Sequence, residues 1–474
     1  MGDDEIFARI SWAEVIVGLK VKREKDSGSF AARLLHYVPF LLILAAIGLV
    51  AQVTLLSPRQ LAWNAWAYSE WLINYDAGFV RRGLSGALIE LSRSVPALPV
   101  VNLLVFVVFA AFCLLFWWVL CHSSRSTPWA VILAMLLPNG PVQMAAGNEI
   151  FYRKEIVFHV ALGISCILYQ MIVNATTDAK RSLFSWIFFV LLLTQIVVFP
   201  LFQEVYLFIS FPASWLLARQ IAALQPQRRV FGWLPGAAVV ISLGMMVVCA
   251  VFRGNEAVAQ QLWTSLSGAD RMLISPSAPD TPTGGIAAIG WSFVKNLIVV
   301  VDIVMSSLFW IWGFAAVGVG AVLVLVTSLR RARGEADNLA TERLRQHLSQ
   351  LWFLFLASLP MYALGADWAR WLSSVAISYL FLSFADSTGS IKPPRLLRFM
   401  PRRWRTSLEV TRDYFTDTLV PAISTVSARH TIPLLALALF YCLTFRPPEC
   451  CMKGGYNPFY RIKPVLAEFS HFHR

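Results

Sequence analysis

Four short clusters of ionisable residues carry the chemistry this sequence can offer. The first is Tyr75-Asp76-Ala77-Gly78-Phe79-Val80-Arg81-Arg82-Gly83, a carboxylate followed by two guanidiniums. The second joins Glu149 to Arg153, Lys154 and Glu155; the third is Gln203-Glu204; the fourth is Asp367, Trp368 and Arg370. Arginines and a lysine grouped in this way suit a phosphate or diphosphate, because a guanidinium fork matches two phosphate oxygens and an ammonium adds a compact charge. Carboxylates beside them stay ionised. Next to a bound phosphate ester such a carboxylate can take the proton of an incoming hydroxyl, while the cations stabilise the departing phosphate. That is a minimal set for moving a sugar from a lipid-linked phosphate donor to an acceptor.

The elements that must position these groups are membrane spans. Hydrophobic residues make up 57% of the 474 positions and charged residues 14%, against roughly 25% charged in soluble domains; mean hydropathy is +0.62. The fold class expected is all-α, a polytopic transmembrane helical bundle of about eleven spans at roughly 20 residues each. The net charge of +13 is carried mostly by arginines on segments assigned to the cytoplasm, which excludes a nucleic-acid partner as its cause. Seven cysteines are too few for a disulfide framework. Cys113, Cys166, Cys249 and Cys442 fall inside apolar runs as small hydrophobes, and Cys450-Cys451 is a poor pair for self-closure.

In chain order, residues 1–36 read as a cytoplasmic segment with Lys20, Lys22, Arg23, Lys25 and Arg33 near the membrane rather than as a signal peptide. A transmembrane domain follows over 37–446, with external loops at 57–99, 138–155 and 253–300 and an external tail at 447–474. The first span is Tyr37 to Leu56. Trp63, Trp66, Tyr68, Trp71 and Tyr75 then form an aromatic belt on an interfacial helix, and Val80, Leu84, Leu88 and Leu91 line a second amphipathic helix. Val100 to Leu120 returns inward. Trp129 to Leu137 is too short to cross alone, and Pro138-Asn139-Gly140 marks a re-entrant or unwound element buried in protein. Later spans are expected at Ile156–Val173, Leu183–Phe199, Val205–Leu217, Val230–Val251, Val301–Val326, Leu351–Ala363, Leu372–Phe384 and Ile432–Phe445. The Ser/Pro/Gly-rich stretch Ser275 to Gly285 reads as mobile.

This topology puts all four clusters at external ends of spans. Each has a bland reading alone: a turn acid and headgroup-anchoring arginines, a local Asp367/Arg370 pair, a solvated hairpin tip at Glu204, interfacial anchors at Arg153 and Lys154. Charge at membrane depth costs roughly 2.5–3.5 kcal/mol on insertion scales, so four coincident clusters favour one shared polar site. Its expected cation set is Arg81, Arg82, Arg153, Lys154 and Arg370, with Tyr75, Glu149, Glu155, Gln203 and Trp368 around it.

Residues 75–86, Arg-Lys-Glu at 153–155, Gln-Glu at 203–204 and Asp-Trp-Ala-Arg-Trp at 367–371 together resemble a group of uncharacterised bacterial polytopic membrane proteins of surface-polysaccharide loci. The layout is also similar to the glycosyltransferase C superfamily, in which an acidic residue of the first external loop precedes many spans. The resemblance implies a polyprenyl-phosphate-linked sugar donor, a glycan or lipid-linked acceptor, a periplasmic active site in the bacterial inner membrane, and a cytoplasmic N-terminus. It implies for Asp76 the role of base or metal ligand; as a base Asp76 is the first catalytic candidate of the four clusters, with Glu204 and Asp367 as further ones. Asp76 is followed by Ala77, so the paired acids of many members are absent. No metal ligands are assigned; a divalent cation is the one cofactor the resemblance leaves open. Polymerisation of lipid-linked glycan repeats fits the same residues, and a transporter or flippase of anionic lipid substrates is the alternative of a different class.

Overall fold

A computed structural model describes residues 30–56, 65–92, 95–123, 128–137, 140–148, 150–307, 337–365, 367–386 and 391–392, with Thr406, Val410 and Ala436. Glu149, most of the expected span at 301–326, the span at 432–445 apart from Ala436, the tail and Cys450-Cys451 lie outside the described residues. The chain divides into two compact units, residues 1–38 and 39–474, and the second contains all four charged clusters.

Every regular element among the described residues is helical. The long helices are α1 (Phe30–Ala51), which a π-helical turn Gln52–Leu56 extends, α4 (Ala97–Cys121), α6 (Glu155–Val173), α7 (Asp178–Phe202), α9 (Arg229–Val251) and α14 (Asp337–Leu364). Between them come α2 (Ala65–Trp71), α3 (Leu84–Glu90), α5 (Pro128–Leu136), α8 (Phe211–Leu224), α10 (Glu256–Ser265), α11 (Gly268–Ile274), α12 (Gly284–Ile289) and α13 (Phe293–Ser307). The last described helix is α15 (Trp368–Ala385). Among the described residues six stretches are long and apolar enough to cross a membrane: Tyr37–Leu56, Ala97–Cys121, Pro128–Ala146, Glu155–Val173, Asp178–Phe202 and Arg229–Val251. The protein is a multi-pass membrane protein.

Helix α6 is the hub, packed against α4, α7, α8 and α15. Gly163 allows the closest approach, since a Cβ there would stand 3.1 Å from Leu115 and 3.2 Å from Phe381. Around it Phe109, Phe112, Phe116, Phe158, Phe199, Tyr206 and Phe381 meet edge to face or tilted, the geometry that aromatic quadrupoles prefer. Helix α9 lies outside, against α7 and α8; Trp233, Val240, Val247 and Val251 stand exposed along it. A continuous apolar face of that kind is wetted by lipid tails, not water. The stretch from Pro128 behaves differently: Ala130 to Leu137 and Gly140, Pro141, Gln143 and Met144 are buried in protein, while Pro138 and Asn139 lie outside the described residues. Gly140 is required at the break, where a Cβ would meet the Met135 carbonyl oxygen at 2.4 Å.

The stretch Ser275 to Gly285, read as mobile, is instead tied into a folded cap. Asn255 and Ser267 cap α10 and α11, their side chains accepting from Val258 N at 2.9 Å and Asp270 N at 3.1 Å. Trp263 Nε1 donates to the Pro279 carbonyl at 2.7 Å, Ser275 Oγ to the Ala278 carbonyl at 3.0 Å, and Gly285 N to Ser69 Oγ at 2.8 Å. These side-chain bonds replace the regular ladder that a Ser/Pro/Gly-rich segment lacks. Helices α11 and α12 pack on α2, and α10 on α12. The cap therefore joins the loop after α1 to the loop after α9.

Candidate functional site

The turn between α2 and α3 is built backbone first. Asn74 Oδ1 accepts from Asp76 N at 3.2 Å and the Tyr75 carbonyl from Gly78 N at 2.9 Å, with Gly78 at φ +89°. Gly86 N then reaches back to the Ile73 carbonyl at 3.0 Å. A Cβ at Gly86 would lie 2.4 Å from that oxygen, so only glycine lets the turn close. Arg81 N donates to the Phe252 carbonyl at 2.8 Å, pinning the turn to the end of α9. Arg82 sits at φ +69°, a left-handed conformation that costs a non-glycine residue about 1–3 kcal/mol.

Glu204 holds the strained residue in place. It stands between α7 and the short helical turn Tyr206–Ile209. Its Oε2 accepts from Arg82 Nε at 2.8 Å, and its Oε1 accepts from Arg81 Nη1 at 3.1 Å and from Arg82 Nη2. Burial pushes the Glu204 carboxyl up, but Arg82 and Arg81 outweigh it and hold the group well below the usual carboxylate range. For Arg82 burial works against the charge, and Glu204 more than restores it. Side-chain exposures of 21% for Arg81, 17% for Arg82 and 19% for Glu204 leave this trio within reach from outside.

Lys154 lies behind the trio, 1% exposed. Its ammonium donates to the Arg82 carbonyl at 3.4 Å and to the Phe202 carbonyl at 3.3 Å, and stands 5.9 Å from the Trp71 ring centroid. The Phe202 oxygen is an orphan acceptor at the end of α7, where a cation is favoured. Burial pushes the Lys154 amine down to about 7, against the pull of Glu70.

Glu70, on α2, is a member that sequence reading passes over. Its carboxylate accepts from Arg153 Nη1 at 3.3 Å and from Trp66 Nε1 at 3.1 Å. Burial raises its pKa, and Arg153, Arg370, Arg82 and Lys154 together overcome that and leave it lowered. The residue hides in an aromatic belt; its one signal in the sequence is a lone acid one helical turn after Trp66. Arg370 completes the network, its Nε 3.3 Å from Glu155 Oε1 and its Nη2 2.7 Å from Asp367 Oδ2.

The structure therefore joins members of all four clusters. Five cations, Arg81, Arg82, Arg153, Lys154 and Arg370, face Glu70, Glu155, Glu204 and Asp367 through direct pairs or carbonyl contacts. Five basic groups face four carboxylates, and Lys154, its amine pushed down to about 7, is the one whose contacts are carbonyls and the Trp71 ring among the described residues.

Asp76 stands apart. It is exposed, accepts from Asn74 Nδ2 at 3.1 Å, and receives neither Arg81 nor Arg82, which turn to Glu204. Asn74 Nδ2 also reaches Glu90. Tyr75 stacks on Phe79 with centroids 5.5 Å apart, and its hydroxyl is buried with no hydrogen-bond partner among the described residues. Gln203 is buried and ends α7, its N–H donating to the Phe199 carbonyl at 2.9 Å. Trp368 donates to the Gly365 carbonyl at 2.9 Å, meets Tyr362 edge to face and packs on the apolar cluster around Tyr362 and Trp371. Glu149 is outside the described residues.

Among the described residues no group of three or more His, Cys, Asp or Glu is placed to hold a metal ion. Comparison with protein-family models, curated proteins and solved structures finds no match to this chain.

Proposed function

We propose that this chain is a membrane glycosyltransferase of glycosyltransferase C-like architecture, taking a sugar from a polyprenyl-phosphate donor to a glycan or lipid-linked acceptor. Polymerisation of lipid-linked repeats is the same chemistry with a longer acceptor. In this reading the cap faces the periplasm, the protein sits in the bacterial inner membrane and the N-terminus is cytoplasmic. The observation that carries it is the convergence of Arg81, Arg82, Arg153, Lys154 and Arg370 on one network at the ends of the helices. Four guanidiniums and an amine gathered beside a lipid-facing bundle suit a phosphate whose tail stays in the membrane.

Asp76 is the base in this scheme. It is the candidate acid without a guanidinium partner among the described residues, whereas Glu204 and Asp367 are each committed to arginine, which lowers their basicity. The acceptor hydroxyl would give its proton to Asp76 as its oxygen attacks the anomeric carbon. The phosphate would leave with the bonding pair onto the cations. Asp76→Asn should lower glycan transfer in reconstituted vesicles by about a hundredfold or more, with thermal unfolding unchanged; full activity in that variant rejects the assignment. A transporter of the same lipid would hold its charges near mid-span. In the six apolar stretches the Asp, Glu, Lys and Arg side chains lie at the ends, which favours the enzyme.

A further inference from the structure

We infer that Glu204 is a built-in placeholder anion: its carboxylate holds the position that a phosphate group takes when substrate binds. The inference rests on the phosphate-binding reading above and adds to it how the cation pair is kept in place and opened.

The geometry is that of a guanidinium pair already engaged with an oxyanion. Both Glu204 oxygens are used, Oε2 by Arg82 Nε at 2.8 Å and Oε1 by Arg81 Nη1 at 3.1 Å together with Arg82 Nη2. Two phosphate oxygens present the same spacing to a guanidinium fork. The trio keeps about a fifth of its side-chain surface exposed, so an incoming anion can reach it. Behind it the frame is fixed. Lys154 holds the Arg82 and Phe202 carbonyls at 3.4 and 3.3 Å, and Arg81 N is bound to the Phe252 carbonyl at 2.8 Å.

The Glu204 backbone is held as well, its carbonyl accepting from Leu207 N at 3.1 Å. Exchange therefore needs only a rotation of the Glu204 side chain, while the arginines remain aimed at the same place. No bond is made or broken; a carboxylate leaves two guanidiniums and a phosphate monoester or diphosphate takes them. Without such a stand-in, two adjacent guanidiniums would repel each other in a poorly solvated turn, with Arg82 also held at φ +69°. The ligand class is a phosphate oxyanion, either free or as the headgroup of a prenyl lipid.

The sign of a competition distinguishes a placeholder from a residue that merely orients the arginines. Purified full-length protein is titrated with inorganic phosphate and, separately, with farnesyl phosphate, in wild type, Glu204→Gln and Glu204→Asp. Glu204→Gln removes the competing charge at constant size and should tighten binding about tenfold or more, the factor by which a closed latch taxes affinity. Glu204→Asp, with a shorter reach, should give a smaller gain, and decides the matter if the glutamine variant does not fold. A gain with both probes assigns the exchange to the phosphate group itself; a gain with farnesyl phosphate alone assigns it to a lipid headgroup. Wild-type binding with unchanged or weaker binding in the variants overturns the placeholder and leaves the functional reading standing. No binding of either probe to any of the three proteins overturns both.

Discussion

Glu70 shares its carboxylate between Arg153 and the indole of Trp66, with a side chain only 5% exposed. Removing one partner from a buried pair strands the other charge, which costs about 3–5 kcal/mol, whereas replacing both by apolar groups is often close to neutral. Glu70→Gln should therefore lower the unfolding midpoint in detergent by several degrees. The double variant Glu70→Leu with Arg153→Met should recover most of it, and a double variant as unstable as the single one contradicts this account. Lys154 makes a second prediction at the same scale. Facing Glu70, Arg82, Glu204, Glu155 and Trp71, its amine is pushed from the ordinary 10.5 to about 7, by burial first. Between those values the unfolded chain binds more protons than the folded one, so this group makes stability rise with pH from about 7 toward 10.5 and contributes no slope below 7. Lys154→Met should flatten that rise when midpoints are compared at pH 7 and 9.5.

Among elements, the long helices were the most legible. Apolar runs expected at Tyr37–Leu56, Val100–Leu120, Ile156–Val173 and Val230–Val251 lie within or almost coincide with helices that the structure places there, because a run of apolar residues in lipid has to satisfy its own backbone. The cap was not legible. Its order comes from bonds such as Tyr68 Oη to Asp270 Oδ1 at 2.7 Å and Gly285 N to Ser69 Oγ at 2.8 Å, whose partners lie far apart in sequence. Composition around Ser275–Gly285 reports local propensity only. The charged clusters were visible as residues, but their pairing was not: nothing local to Arg82 says that its acid is Glu204 rather than Asp76. One glycine tests the cap directly. A Cβ at Gly285 would stand 2.4 Å from Glu70 Cγ and 3.1 Å from its backbone N and Cα, with no flexible tip to yield. Gly285→Ala should destabilise by about 1–3 kcal/mol, the usual penalty of overpacking, and should expose Trp263 to quenching. An unchanged midpoint counts against the α2–α12 contact.

For the whole molecule, six stretches among the described residues are long and apolar enough to cross a membrane, and the charged network lies at helix ends. If the cap faces the periplasm, cysteines placed at exposed Asp76 and Gln261 will react with an impermeant thiol reagent added to spheroplasts. Labelling only after the membrane is broken rejects that orientation. At the opposite end side-chain amides make the fastening: Gln225 Nε2 reaches Ser185, and Gln350 Nε2 reaches the Ile391 carbonyl at 2.8 Å and the Asp386 carboxylate at 3.1 Å.

The distance along the chain between Arg82 and Glu204 also sets an order of events during synthesis. Their separation of 122 residues corresponds to roughly 6–25 seconds of elongation at common rates. Throughout that interval two guanidiniums wait at the membrane surface without their acid, and the cap waits longer still, for Asp270 and Gly285. A nascent chain halted after residue 200 therefore has Arg81 and Arg82 without Glu204, whereas one halted after residue 295 holds the trio and the cap and lacks only Asp367 and Arg370 of the network. In a pulse-chase comparison the first should be cleared by membrane proteases several times faster than the second, although both contain the same first spans.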